Sequence, residues 1–329
     1  MRPKRRQRRA GSTSRPAAAV EPAITVPSLR SWLFVPGDSE RKQEKALGSA
    51  ADAVILDLED SVALAQLPAA RTRVADLLRS RRPPGAPQLW VRPNAPSSGL
   101  LREDLEAVFA GGGPDGLVLP KVSAATEISS VVRQLAGLEG RLGARPGNTR
   151  LLIIATETPA AVLALPQYPA VLGAVGGLRQ RIAGLTWGGE DLSAALGALA
   201  QRDNTGALTF TFQLARTHCL LAAASLGVQA IDGVCTDFRD PVRLQHELDA
   251  ARRDGFSGKL AIHPDQIAVI NAAFAPTDAE REHAQRVVAA FATAPAAGVV
   301  SLDGRMIDRP HLLQAQRILA VAERARGGT

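Results

Sequence analysis

Cysteine and aromatic residues are scarce in this chain. Among its 329 residues there are two cysteines, and aromatic residues make up 4%. Cys219 and Cys235 lack the spacing of metal ligands, so we expect both to be reduced, buried thiols. Reduced thiols are typical of the cytoplasm, which is where we expect the protein to work.

Long hydrophobic runs are missing as well. No uninterrupted apolar run approaches the ~20 residues that a membrane-spanning helix needs. Hydrophobic residues nevertheless make up 46% of the chain, which is enough for a sizeable core. The composition therefore predicts no membrane span and favours a soluble enzyme.

Acidic residues are absent from the first twenty positions, whereas seven of the 39 basic residues lie there. The rest of the chain has 32 basic and 32 acidic residues, and thus no net charge. A basic arm can bind nucleic acid non-specifically. No aromatic residue interleaves with this arm, and it has no apolar core of a secretory signal. We therefore expect residues 1–27 to be a disordered tail, with no nucleic-acid partner.

Short apolar runs that end in an acid, a glycine or a proline recur along the chain. Each of them predicts a buried strand whose carboxyl end opens into a loop. The eight predicted strands span residues 31–35, 53–56, 89–91, 116–119, 151–156, 182–186, 228–231 and 259–262. Stretches rich in Ala, Leu, Arg and Glu, with helical spacing, lie between most of them.

Strands that alternate with helices indicate βαβ units and a parallel sheet. Eight units over roughly 240 residues fit a (β/α)8 TIM barrel, whose active site lies at the carboxyl ends of the strands. An open doubly wound sheet is the alternative, but no Gly-x-Gly-x-x-Gly motif follows the first strand. We therefore predict an α/β barrel over residues 28–275, with a C-terminal helical segment over residues 276–329.

Two neighbouring strands are followed by carboxylates. Glu157 follows the fifth strand, and Asp191 follows the sixth. Adjacent strands lie about 5 Å apart, so the two carboxylates can share one cation. Oxygen ligands, with the other positions left to water or substrate, favour Mg²⁺ or Mn²⁺ over zinc. Helix capping or salt bridges would explain the same residues without a metal.

Arg92 ends the third strand, where Pro93 holds it in an extended conformation. A guanidinium there can bind a carboxylate or an enolate oxygen through two parallel hydrogen bonds. A structural ion pair with Asp57 or Glu59 is the alternative. These two acids share a face of the second strand, and we expect them to orient Arg92 or metal-bound water.

Two further strand ends are ambiguous. Lys121 ends the fourth strand and could form a Schiff base with a carbonyl substrate, although contact with a phosphate or carboxylate fits its position better. His263 ends the last strand, where a histidine either contacts substrate or supports the site by hydrogen bonding.

Nine short motifs occur in order along residues 29–323. They are Arg30–Gly37, Leu56–Val62, Val91–Asn94, Leu119–Val122, Glu157–Pro159, Gly188–Leu192, Gln229–Gly233, Ile262–Ile267 and Met306–Asp308. Together they resemble the citrate lyase β-chain-like CoA-ester lyases of the HpcH/HpaI aldolase/citrate lyase family.

The resemblance implies a Mg²⁺-dependent (β/α)8 enzyme that cleaves or forms a carbon–carbon bond between an acetyl-CoA-type thioester and a 2-oxo acid. It implies that Glu157 and Asp191 bind the metal, with Glu157 also close to the substrate. It further implies that Arg92 polarises a substrate oxygen and that Asp308 is the catalytic acid. Such enzymes are usually trimers or hexamers, and in several relatives the C-terminal segment reaches the active site of a neighbouring subunit.

The phosphates of CoA need cations, and we expect them from Arg41 and Lys45, which lie on one face of the first helix. Basic residues on a solvated helix face would look the same. The 2-oxo acid stays open, because glyoxylate, pyruvate and oxaloacetate correspond to malyl-CoA, citramalyl-CoA and citryl-CoA.

Also open are a role for acyl-carrier and transferase subunits of a citrate lyase complex, and a thioesterase step after condensation. A Schiff-base aldolase that uses Lys121 and a noncatalytic binding protein that uses the basic arm are the alternative functions.

Overall fold

The computed structural model describes residues 29–142, 147–174, 176–295 and 297–326. The predicted basic tail, residues 1–27, lies outside the described residues. Within the described ranges, no helix has the length and hydrophobicity needed to cross a membrane.

Eight parallel strands form a closed barrel in chain order. They are β1 (Ser31–Pro36), β2 (Ala53–Asp57), β3 (Gln88–Arg92), β4 (Gly116–Leu119), β5 (Arg150–Ile154), β6 (Ile182–Thr186), β7 (Gln229–Asp232) and β8 (Gly258–Ala261). Pairing of β1 with β8 closes the barrel. The TIM-barrel prediction is confirmed, and every predicted strand boundary lies within two residues of the observed one.

Helices follow the strands around the barrel and continue beyond it. They are α1 (Glu40–Leu47), α2 (Leu67–Arg79), α3 (Leu101–Ala110), α4 (Ala125–Arg141), α5 (Pro159–Ala164), α6 (Tyr168–Ala174), α7 (Leu178–Arg181), α8 (Glu190–Leu196), α9 (Phe210–Leu226), α10 (Pro241–Asp254), α11 (Ile267–Ala273), α12 (Asp278–Ala292) and α13 (Arg309–Arg326). Local sequence sets several of the ends. Asp240, for example, caps α10 by accepting a hydrogen bond from the N–H of Arg243.

Alternating side chains along each strand divide the core into two parts. On β2, Val54 and Leu56 pack against the helices, whereas Ala53 and Ile55 pack inside the barrel. The same period of two places Asp57 on the interior face at the carboxyl end of β2. Arg92 is its register partner on β3, so the fold brings these two polar side chains together.

The amino-terminal end of the barrel interior is filled by two tryptophans. The rings of Trp32 and Trp90 meet edge to face, with their centroids 4.7 Å apart. A Cβ atom on Gly116 would lie 2.3 Å from the ring of Trp90, so only glycine fits beside this indole. The aromatic plug leaves the opposite, carboxyl end of the barrel as the place for a site.

The segment after the barrel forms a small unit with its own core. A hairpin of β9 (Val299–Leu302) and β10 (Arg305–Asp308) packs with α12 and α13 around Phe291 and Ile307. The predicted C-terminal helical segment therefore also contains a hairpin, and α13 begins directly after it at Arg309. The predicted division at residue 275 falls between α11 and α12.

Candidate active site

Arg92 and Asp57 form a two-pronged ion pair at the carboxyl end of the barrel. Nε of Arg92 lies 2.6 Å from Oδ1 of Asp57, and Nη2 lies 2.8 Å from Oδ2. Burial alone would raise the pKa of Asp57, but the hydrogen bonds and charge of Arg92 outweigh it and hold the pKa below its ordinary value. The guanidinium also lies 4.9 Å from the ring centroid of Phe34. The expected pairing of Asp57 with Arg92 is therefore present in the structure.

The Lys121 side chain contacts acidic residues that follow β2 and β6. Its ammonium lies 2.8 Å from a carboxylate oxygen of Glu59, 2.8 Å from one of Asp60 and 3.4 Å from Oδ1 of Asp191. Burial would lower the pKa of Lys121, but its hydrogen bonds to Asp60 and Glu59 outweigh that effect and raise the pKa above its ordinary value. Lys121 is consequently held as an ammonium ion, which is a poor nucleophile for imine formation.

Glu157 is almost completely buried, being 4% exposed. Its Oε2 accepts the backbone N–H of Lys121 at 2.5 Å. Burial raises the pKa of Glu157 to about 8 although the Lys121 hydrogen bond lowers it, and the nearby charges of Asp191 and Glu59 add to the rise. A Cβ atom on Gly188 would lie 2.6 Å from Cγ of Glu157, so glycine is needed where the loop after β6 crosses this carboxylate.

Glu59 lies between Arg92 and Lys121. One of its carboxylate oxygens is 3.1 Å from Nη1 of Arg92, and the other contacts the Lys121 ammonium. Burial raises the pKa of Glu59 to about 6 despite these two cations. Asp57 and Glu59 thus lie beside Arg92, as expected from their shared strand face.

Asp191 occupies the first turn of α8, directly after the loop from β6. Trp187 begins that loop, and its indole N–H donates a hydrogen bond to Asp232 at 2.7 Å. Asp232 is itself buried and paired with Lys259 and Arg216. This ionic network anchors the loop that carries Asp191.

The composition of the cluster suits a divalent cation. Two cations, Arg92 and Lys121, face five carboxylates, which belong to Asp57, Glu59, Asp60, Glu157 and Asp191. Burial is the main cause of the raised pKa of Glu157, and the charges of Asp191 and Glu59 contribute to it. No three His, Cys, Asp or Glu side chains in the described ranges surround a single point. A pair of carboxylates completed by water and substrate is nevertheless a usual Mg²⁺ site.

A cavity of about 810 Å³ opens beside Arg92. Three basic residues of α1 line it, namely Arg41, Lys42 and Lys45, together with Asp57, Asp60 and Arg92. The structure therefore brings Arg41 and Lys45 to the same cavity as Arg92. Glu157 and Asp191 are not among its lining residues, and Lys121 connects them to it through Asp60.

His263, which follows β8, also lines this cavity. Its ring stacks on Phe238 with the centroids 4.6 Å apart. Nδ1 of His263 accepts the N–H of Asp265 and so caps the turn that follows β8. The hydrogen-bonding support expected of a strand-end histidine is what the structure contains.

Asp308 is not joined to the barrel cluster. Its carboxylate contacts Nδ1 of His311 at 2.5 Å, at the junction of β10 and α13. Within the described residues, no hydrogen bond or ion pair links it to Arg92, Glu157 or Asp191. Asp308 would therefore have to act on the site of another subunit or after a movement of the C-terminal unit.

Three features of the site were not predicted from the sequence. They are the contact of Lys121 with both Glu157 and Asp191, the close packing of Gly188 on Glu157, and Lys42 in the cavity wall. The Gly188-Gly189 pair was a visible signal of close backbone approach. No feature of the sequence indicates that the backbone N–H of Lys121 donates to Glu157.

The comparisons with known proteins agree with this arrangement. A family model described as HpcH/HpaI aldolase/citrate lyase matches residues 30–264. A (3S)-malyl-CoA thioesterase of Cereibacter sphaeroides is 35% identical over 297 residues, which cover 90% of this chain and 95% of that protein. The mitochondrial citramalyl-CoA lyase of Rattus norvegicus is 36% identical over 300 residues, covering 89% of this chain and 86% of that protein.

The solved structures agree as well. The protein CitE from Mycobacterium tuberculosis, in complex with magnesium, acetoacetate and coenzyme A, superimposes with a TM-score of 0.71 at 33% identity. The match covers 91% of this chain and all (100%) of that one. The chain described here belongs to the HpcH/HpaI aldolase/citrate lyase family.

Proposed function

We propose that this protein is a Mg²⁺-dependent CoA-ester lyase, which cleaves or forms the carbon–carbon bond between an acetyl-CoA-type thioester and a 2-oxo acid. The observation that carries the proposal is that Lys121 links Glu157 and Asp191 to the acidic residues around Arg92, which lines a cavity with a basic wall. Relatives named citramalyl-CoA lyase and citrate lyase subunit beta support the same reaction class.

Glu157 and Asp191 would hold the Mg²⁺ ion, with Mn²⁺ as a substitute. When bound, the ion supplies Lewis-acid stabilisation of negative charge on a substrate oxygen. Related structures of CitE from Mycobacterium tuberculosis, in complex with magnesium and pyruvate or with magnesium and acetoacetate, support this assignment.

Arg92 would stabilise the charge that develops on the substrate oxygen. Asp57 occupies Nε and Nη2 of the guanidinium, which leaves Nη1 directed at Glu59 and Asp60. A substrate carboxylate or enolate oxygen would replace one of these two carboxylates at Nη1. Asp57 would thereby act by holding Arg92 in place.

Arg41, Lys45 and Lys42 would bind the phosphates of CoA. All three lie on α1 and face one cavity, whose volume of about 810 Å³ suits a large ligand. The cavity connects this basic wall to Arg92, where the reacting end of the thioester has to lie. The related structure of CitE in complex with magnesium, acetoacetate and coenzyme A supports this use of the cavity.

Asp308 would protonate the carbon of the acetyl-CoA enolate, or remove that proton in the condensation direction. Since Asp308 is not joined to its own barrel cluster, we propose that it serves a neighbouring subunit of a homo-oligomer, a trimer or hexamer. Exposed apolar side chains on both units suit such an interface. They are Leu163, Leu196, Leu199, Phe210 and Leu214 on the barrel, and Val299, Met306 and Leu313 on the C-terminal unit.

A thioesterase is the second candidate function. The C. sphaeroides relatives at 34–35% identity carry the name (3S)-malyl-CoA thioesterase. A thioesterase would release free CoA and the hydroxy acid, whereas a lyase releases acetyl-CoA and the 2-oxo acid. The Schiff-base alternative is disfavoured, because three carboxylates contact the Lys121 side chain and favour its ammonium form.

Two observations bear on where and with which partners the protein acts. Cys219 and Cys235 are both buried and unpaired, which supports the cytoplasm as the site of action. A relative named citrate lyase subunit beta raises a multi-subunit complex as an alternative to a protein that acts alone.

The test is a panel of malyl-CoA, citramalyl-CoA and citryl-CoA, each incubated with the purified full chain and Mg²⁺ or EDTA. We expect metal-dependent release of acetyl-CoA from one ester, which would also identify the 2-oxo acid. Release of free thiol without acetyl-CoA would establish the thioesterase instead. Activity that survives EDTA and is trapped by borohydride would establish the Schiff-base aldolase.

A further inference from the structure

Lys121 contacts both proposed metal ligands with two different groups. Its backbone N–H donates to Oε2 of Glu157, and its side-chain ammonium lies 3.4 Å from Oδ1 of Asp191. Glu157 and Asp191 follow β5 and β6, whereas Lys121 follows β4. One residue on a third strand therefore touches both carboxylates of the pair.

The ammonium lies among three carboxylates. Besides Asp191, it contacts Glu59 and Asp60, each at 2.8 Å. The side chain is 27% exposed, so these charges are partly shielded from water and interact more strongly than a surface pair would. The Lys121 ammonium therefore offsets part of the negative charge of this acidic cluster.

The backbone of Lys121 is also unusual. Its φ of 50° lies in the left-handed region, which few residues other than glycine adopt without strain. This conformation is what turns the N–H toward Glu157 while the side chain reaches toward Asp60 and Asp191. Relaxation to an ordinary φ would change the direction of the N–H and so loosen the contact with Glu157.

We infer that Lys121 is a positioning residue of the metal site: its backbone N–H fixes Glu157, and its ammonium is the resident cation that a divalent ion displaces from Asp191. The inference rests on the proposed function, because it requires a divalent ion at Glu157 and Asp191. It goes further, because it assigns to this chain a cation of its own that competes with the metal ion for Asp191.

Removal of a competing cation and removal of a supporting residue should change the Mg²⁺ affinity in opposite directions. Removal of the ammonium leaves the carboxylates with less positive charge nearby, and Mg²⁺ should bind more tightly. With unit charges a few ångströms apart in a partly shielded site, we expect a gain on the order of threefold to tenfold. A residue that merely supported the fold would weaken Mg²⁺ binding when removed.

The experiment is isothermal calorimetry of Mg²⁺ binding to the full chain without substrate, at fixed pH and ionic strength. Wild type is compared with Lys121→Met, which removes the charge, and Lys121→Arg, which keeps it. We expect tighter binding in Lys121→Met and affinity near the wild-type value in Lys121→Arg. Lys45→Met, which removes a cavity cation without contacting the carboxylates, should leave Mg²⁺ affinity unchanged.

Thermal unfolding gives the second readout. Loss of the ion pairs should lower the Tm of metal-free Lys121→Met, and saturating Mg²⁺ should raise its Tm by more than it raises that of wild type. If the methionine variant does not fold, Lys121→Gly replaces it, since glycine adopts a φ of 50° without strain.

Two failures can be told apart. Equal or weaker Mg²⁺ binding in both Lys121→Met and Lys121→Gly would overturn the competitor role while the proposed function stands. Absence of Mg²⁺ binding to wild type, with substrate or without it, would overturn the proposed function itself.

Discussion

Asp57 holds Arg92 by both prongs of its guanidinium, with N···O distances of 2.6 and 2.8 Å. The two residues are register partners on adjacent strands, β2 and β3. Arg92 is thereby fixed at the mouth of the cavity, with Nη1 free of Asp57. The pair holds the guanidinium in one orientation, and Nη1, which contacts Glu59 and Asp60, is the nitrogen that we propose binds a substrate oxygen.

Asp57→Asn should lower kcat, because the amide oxygen can accept only one of the two hydrogen bonds from Arg92. The guanidinium is then free to rotate. We expect a loss of about 10- to 100-fold, the range typical of residues that orient a catalytic group. Steady-state kinetics on the active CoA ester would measure it. The KM for the ester should change little, since Arg41 and Lys45 are untouched. Wild-type kcat would show that the ion pair is only structural.

Gly188→Ala should weaken Mg²⁺ binding without unfolding the protein. The added Cβ would lie 2.6 Å from Cγ of Glu157, so the carboxylate has to shift. Calorimetry with Mg²⁺ would detect the change. Gly137→Ala is the matched control, because Gly137 lies within α4 with no atom within 4 Å of the added Cβ. Normal Mg²⁺ affinity in Gly188→Ala would contradict the close packing.

Metal-free stability should fall as the pH rises, because of Glu157. Burial raises the pKa of Glu157 from 4.5 to about 8, so the folded protein binds this proton more tightly than the unfolded chain does. The contribution is fully present below pH 4.5 and is lost as the pH rises through 8. In Glu157→Gln this part of the pH dependence should vanish. Thermal unfolding in EDTA between pH 5 and pH 8 would compare the two proteins, and parallel curves would refute the assignment.

Asp232→Asn should destabilise the fold, since it removes a buried charge shared by Lys259 and Arg216 and leaves them only Glu247 and Asp254 as partners. We expect a loss of about 3 kcal/mol in the free energy of unfolding, as is typical when one member of a buried ion pair is removed. Trp187→Phe loses one hydrogen bond to Asp232, and we expect a loss of about 1 kcal/mol. Urea unfolding at neutral pH would measure both.

The same network predicts sensitivity to acid. Burial by itself would raise the pKa of Asp232, but the charges of Lys259 and Arg216 outweigh it and lower the pKa to about 2. The stabilisation is therefore present above about pH 4 and is lost as the pH falls toward 2. An acid-unfolding curve for Asp232→Asn that matches wild type would count against this role.

Mixed oligomers should reveal whether Asp308 serves a neighbouring subunit. Asp308→Asn keeps an intact barrel cluster, and Asp191→Asn keeps an intact Asp308. Each variant alone should be inactive, and co-refolded or co-expressed mixtures should regain part of the wild-type activity. Mixtures that stay inactive, although mass measurement shows mixed oligomers, would mean that Asp308 does not act in trans.

The eight strands could be predicted because each is a short apolar run followed by a turn residue or an acid, and such runs in alternation with helices favour one architecture. The meeting of Asp57 with Arg92 followed from the period of two along β2 and β3. Lys121 was harder, because its role depends on a φ of 50° that sequence does not specify for a lysine.

The C-terminal hairpin was missed although a signal was present. Asp303 and Gly304 both adopt positive φ values, 53° and 73°, as a two-residue hairpin turn requires. Asp-Gly between the apolar pairs Val299-Val300 and Met306-Ile307 predicts such a turn. The place of Asp308 relative to a partner subunit, by contrast, depends on assembly, which one chain's sequence pattern does not encode.

We propose that the carboxylates of Glu157 and Asp191 bind the metal on which carbon–carbon cleavage depends. The most direct test of this proposal is acetyl-CoA release from the active ester as Mg²⁺ is titrated into metal-free wild type and Asp191→Asn, with circular dichroism to confirm that both are folded. We expect saturable activation of wild type and no activation of Asp191→Asn. Equal activation of the two proteins by Mg²⁺ would contradict the proposal.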